Sequence, residues 1–159
     1  MPRSYSMNFT GTNSTEGGTD SKPLQHLNAG ANTVAARIYD LVFGSDAVAD
    51  NASRFRIVRS TTTGSNAASI ISSFPIAAQD GTAAGQMITL AGIYGTTQPT
   101  LTAGSSVLSW AQNQRATFRW VAAPGKELVT GVAAQAGLAL LCSSNTSTYS
   151  SVSSIEYEE

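Results

Sequence analysis

Apolar and polar residues alternate in short runs along this chain. Tyr5, Met7 and Phe9 are separated by Ser6 and Asn8, the period-two pattern of a strand with one apolar face. Thr33 to Phe43 predicts a second strand, but its apolar parity changes partway, from Val34, Ala36 and Ile38 to Tyr39, Leu41 and Phe43. A bulge near Asp40, or cover on both faces, accounts for such a change. Gly44-Ser45-Asp46 ends the run, and Ser45 to Ala52 suits one helical turn capped by Ser45. Ser53 to Ser60 predicts a strand with Phe55 and Ile57 inward and Arg54 and Arg56 outward. Further strands are expected at Met87–Tyr94, Ser105–Trp110, Arg115–Val121, Gly137–Ser143 and Tyr149–Tyr157. Only A-Q-N-Q separates Ser105–Trp110 from Arg115–Val121, which predicts a hairpin.

Two stretches lack strand periodicity. Gly11 to Ala31 is rich in Gly, Ser, Thr and Asn and reads as a polar arm or long loop. Leu24 and Leu27 give it two apolar anchors flanking His26, so it is expected to order on a neighbouring subunit or shell. Thr61 to Gly85 reads as a long connection with one apolar anchor, Ile70 to Ile76, and a short helix at Ala67–Ser72. Roughly eight short strands between turn signals predict an all-β fold, an antiparallel two-sheet β-sandwich. A jelly roll is its eight-strand form, and the long connection after Ser60 favours Greek-key crossing over a meander. The expected core is Phe55, Ile57, Ile88, Leu90, Phe118, Trp120, Leu138 and Leu140.

Length and composition sharpen this picture. With 159 residues the chain is read as one domain, 1–159. Charged residues are only 12% and the net charge is −1, which gives no general attraction to nucleic acid. Arg outnumbers Lys seven to two, and Arg suits bidentate pairing across interfaces. The single Cys142 lies in the apolar run G-L-A-L-L-C-S and reads as a small core residue. No apolar run spans a membrane and the first residues carry no signal-peptide pattern, so synthesis in a host cytoplasm is expected.

Candidate chemistry is sparse. The only His, His26, sits in the polar stretch without a G-x-S-x-G elbow, and reads as a surface or interface residue. Asp40, Asp46 and Asp50 read as solvated loop acids, and neither metal-spaced ligands nor a phosphate-cradling motif is present. The chain is therefore expected to be no enzyme and to need no cofactor or metal. Trp110 and Trp120 fall on apolar strand parity, which favours core packing over a sugar platform. Arg54, Arg56, Arg115 and Arg119 fall on outward parity and, with Leu24, His26 and Leu27, are the candidate subunit or capsid contacts.

Three segments carry a resemblance. They are A-R-I-Y-D-L-V-F-G-S-D-A-V-A-D-N at Ala36–Asn51, R-F-R-I-V-R-S-T-T-T-G at Arg54–Gly64 and N-Q-R-A-T-F-R-W-V-A-A-P-G-K-E-L at Asn113–Leu128. Together they resemble stretches of the decoration, or cement, proteins of tailed-bacteriophage heads. The resemblance implies a jelly roll, a homotrimer on the outer capsid surface of the virion, and the major capsid protein as partner. The rival expectation is a carbohydrate- or receptor-binding sandwich of a head fibre or tail, which exposed aromatics in a groove would favour.

Overall fold

The structure is a computed structural model that describes residues 4–14, 23–29, 35–45, 50, 52–62, 65–66, 76–78, 87–91, 94–97, 99–113, 115–133, 136–143 and 148–159. Regular structure among these residues is entirely β. The strands are β1 (Ser4–Ser14), β2 (Pro23–Ala29), β3 (Arg37–Ser45), β4 (Ala52–Ser60), β5 (Ser65–Asn66), β6 (Ile76–Ala78) and β7 (Met87–Ala91). They continue with β8 (Tyr94–Thr97), β9 (Leu101–Asn113), β10 (Phe118–Val121), β11 (Leu128–Val129), β12 (Gly137–Ser143) and β13 (Thr148–Glu158). One sheet has the order β10-β3-β13-β1-β6, with β11 also paired to β3. The second has the order β7-β2-β12-β4-β9, and β5 pairs with β8 apart from both. All pairings are antiparallel. The two sheets face each other as a β-sandwich, as the strand pattern predicts.

The core lies between the sheets. Ile38, Leu41, Phe43, Ile155 and Tyr157 from the first sheet meet Leu27, Phe55, Ile57, Leu138 and Leu140 from the second. Burying each such side chain contributes about 1.5–3 kcal/mol. Cys142 is buried in the same cluster, as its apolar setting predicts. Across the gap, Ser153 Oγ donates to Gln25 Oε1 at 2.7 Å, which ties one polar inward position of each sheet to the other.

The parity change in β3 has the cause its sequence suggests. The pairing of β3 with β13 shifts register where Glu156 faces Asp40 and Tyr157 faces Ile38, which leaves Tyr39 as the extra residue. The bulge lets Ile38 point inward on one side of it and Leu41 and Phe43 on the other. Pro124-Gly125, turn-forming residues after β10, do form a turn. Lys126 N donates to Ala123 O at 2.9 Å and Gly125 takes φ +77°, the positive value that a type II turn requires at its third position.

Several expectations need correction. Gly11–Ser14 continue β1, and Pro23–Ala29 form an inner strand of the second sheet, so these parts of the expected arm are sheet. The rest of the arm, 15–22 and 30–31, lies outside the described residues, as do the expected helical positions 46–49 and 67–72. Ile76 belongs to β6; the remainder of its expected anchor also lies outside. β9 and β10 do not form a hairpin, because β9 edges the second sheet and β10 edges the first. The chain between them crosses the sandwich, and Trp110 stacks on Phe118 with ring centroids 4.3 Å apart. Phe118 and Trp120 are half-buried, since the four-residue β10 is an edge strand, whereas Phe55, Ile57, Leu138 and Leu140 are buried as expected. The side chains of Ile88 and Leu90 lie outside the described part.

Candidate functional site

The outward face of the second sheet holds the polar chemistry that this fold hides. His26 on β2 and Ser60 on β4 are separated by β12, yet His26 Nε2 and Ser60 Oγ lie 2.5 Å apart. Neighbouring strands are about 4.8 Å apart, so the pair spans roughly two strand spacings. Gly137 makes this possible: in register it stands between Asn28 and Ser60. A Cβ there would come within 2.8 Å of His26 Nε2 and would also strike the Leu27 carbonyl oxygen. Val58, Ala139 and Leu141 form a second apolar cluster on this face, with Leu101 packed against it.

A hydroxyl against an imidazole is the geometry of an activated nucleophile. Here the environment works against that use. His26 is 0% exposed and Ser60 3%. Burial lowers the imidazole pKa to about 4, so it is neutral at pH 7 and a weak proton acceptor. His26 Nδ1 has no hydrogen-bond partner among the described residues, so no carboxylate orients the ring. The pair is a polar tie across β12. No group of three metal-binding side chains occurs among the described residues, and no described helix is long and apolar enough to cross a membrane.

Next to this tie, β9 separates from β4. Val58 pairs with Ser106 and Ser60 pairs with Leu101, so Arg59 alone faces the four residues from Thr102 to Ser105. Ser105 closes the bulge: its hydroxyl accepts from Arg59 N at 3.0 Å and donates to Thr102 O at 2.7 Å. Gly104 takes φ +70° at the tip. The separation leaves a cleft of about 170 Å³ whose apolar lining is Val58, Leu101 and Leu141, with Arg56 on its wall.

The outward face of the first sheet is different. Arg119 grips Asp40 with two bonds, Nε to Oδ1 at 3.2 Å and Nη2 to Oδ2 at 2.6 Å. This fork raises the guanidinium pKa further, with Glu156 adding a smaller pull.

The residues singled out from sequence do not form one surface. Arg54 and Arg56 point outward from the second sheet and Arg119 from the first, because outward parity on facing sheets means opposite directions. Arg115 sits in the exposed turn between β9 and β10. His26 and Leu27 are interior, at 0% and 1% exposure, and do not present contacts on this chain's surface. The side chain of Leu24 lies outside the described part. Trp110 and Trp120 pack against the core, as their parity predicts. Sequence reasoning missed the cleft and the tie, since both depend on strands adjacent in space but distant in sequence. No family profile matches the chain, and no characterised protein matches it in sequence.

Proposed function

We propose that this chain is a non-enzymatic virion structural protein, a capsid decoration or cement protein on the outside of a mature phage head. Strand order carries the reading. Taking β1, β2, β3, β4, β9, β10, β12 and β13 as strands one to eight, hydrogen-bonded neighbours run 6-3-8-1 in one sheet and 2-7-4-5 in the other. The chain crosses between sheets at every step except the fourth to the fifth. That order supports a jelly roll, an architecture of capsid and lectin domains. The segments that resemble decoration proteins cover β3, β4 and the crossing from β9 to β11. The major capsid protein is then the partner and a homotrimer the working form.

Such a protein works mechanically. It bridges capsomer joints present only in the expanded lattice, and its binding free energy adds to shell stability by mass action. Many copies multiply a modest contact into a large total. The rival reading, a carbohydrate- or receptor-binding module, calls for accessible aromatic platforms, and Trp110 and Trp120 both turn inward. The test is co-sedimentation of purified chain with phage heads. Binding to expanded but not immature heads is expected, with raised resistance of the heads to heat or chelator. Equal binding to both, or to neither, would overturn the proposal.

A further inference from the structure

We propose that the free edge of β9 is a docking strand for an extended acidic segment of a partner protein, which joins the second sheet as an added strand. β9 has 13 residues, and β4 is its only sheet neighbour among the described strands. The other sheet-end strands are short: four residues in β10, five in β7 and three in β6. A sheet edge presents unpaired N–H and C=O groups, and proteins blunt long edges with charge or proline. From Leu101 to Asn113 there is neither. Two irregularities interrupt the first part, one at Thr102–Ser105 and one that leaves Val107 as an extra residue, so Leu108 to Asn113 remain a usable edge.

The side chains beside this edge specify the partner's charge. In register, Arg54 stands opposite Ala111 and Arg56 opposite Ser109. Both β9 residues are small and exposed. An added strand lies about 4.8 Å beyond β9 and roughly 9.6 Å from β4. An arginine leaning over Ala or Ser covers most of that distance and a glutamate leaning back from the added strand covers the rest, whereas larger neighbours would block both. The five strands of the second sheet carry three Arg and no Asp or Glu, a charge of +3. Acidic side chains on the outward positions of the added strand therefore meet the two guanidinium groups. A second copy fits poorly, because β9 carries no Asp or Glu to meet these arginines. The cleft at the bulge offers the same segment a pocket for one apolar side chain.

This inference does not depend on the decoration reading. The probes are short amide-capped peptides of alternating Thr and Glu, and their Thr/Lys counterparts, titrated against the full chain. Binding of the Glu peptide, with hydrogen exchange slowed at Leu108–Asn113, is the expected result. Arg54→Glu with Arg56→Glu should weaken the Glu peptide at least tenfold, roughly 1.4 kcal/mol, and should favour the Lys peptide instead. Should that double variant melt early, Arg54→Glu alone, at an exposed position, should give a partial loss. No binding by the parent chain, no charge preference, protection confined to other strands, or a dimer protected at β9 would each overturn the proposal. Failure on phage heads with peptide binding intact would remove only the decoration reading.

Discussion

An imidazole that reaches a hydroxyl two strands away needs an unobstructed path, and Gly137 leaves one. Adding a methyl there presses on the Leu27 carbonyl, on Asn28 Cβ and on the imidazole at once. The backbone contact cannot rotate away, so Gly137→Ala should destabilise the chain by about 1–3 kcal/mol, the cost of overpacking. Chemical denaturation checks it, and a parent-like midpoint would show that β12 can shift. His26 makes a second prediction at the same point. Its ordinary pKa of 6.5 applies to the unfolded chain, while the folded value is about 4 because burial disfavours the cation. Between these values the unfolded chain binds more protons. The contribution is therefore complete above pH 6.5 and is lost as pH falls toward 4, a change of roughly 3 kcal/mol. Urea midpoints across that range should fall steeply for the parent chain and less steeply for His26→Gln. Parallel slopes would mean that another group drives the acid response.

At the scale of elements, β2 is the instructive failure of sequence reading. Pro23–Ala29 alternates poorly because Gln25, His26 and Asn28 are polar, yet all three are buried. Two of them find partners far away in sequence, Ser153 for Gln25 and Ser60 for His26, so local pattern had no means of showing these bonds. By contrast, β4 and β12 were legible, since their apolar parity faces one core and their turn signals are local. The false hairpin of β9 and β10 arose because a short turn fits either a hairpin or a crossing between sheets. Removing Thr12–Asn28 should therefore abolish cooperative unfolding, because it takes out an inner strand held by β7 and β12. A sandwich that still melted cooperatively would place β2 outside the folding unit. The crossing also ranks the tryptophans. Trp110 touches Phe43, Phe55 and Phe118, whereas Trp120 lies on the four-residue edge strand. Trp110→Ala should cost about 3 kcal/mol, the lower end for aromatic truncation at a half-buried site, and Trp120→Ala less. The reverse order in denaturation would mean that β10 anchors the core.

For the whole molecule, the two sheets differ in charge more than the net value of −1 suggests. The strands of the second sheet sum to +3, from Arg54, Arg56 and Arg59. Those of the first sum to −1, since Arg37 and Arg119 stand against Asp40, Glu156 and Glu158. A sandwich can lay only one outward face on a flat shell. On the decoration reading, the second sheet is the face to meet acidic shell residues, because its strands carry no acid and Arg54 and Arg56 point outward from it, whereas Arg119 on the first sheet pairs with Asp40. Arg54→Glu should then lower retention on expanded heads, and should do so most at low salt, where charge attraction is least screened. Arg119→Glu should leave retention near the parent level and act on thermal melting instead, since it sets a new carboxylate beside Asp40 and Glu156. Retention is measured by sedimentation at two ionic strengths and stability by melting. If Arg119→Glu released the protein while Arg54→Glu did not, the first sheet would be the face turned toward the shell, and the ion pair with Asp40 would have to open on binding.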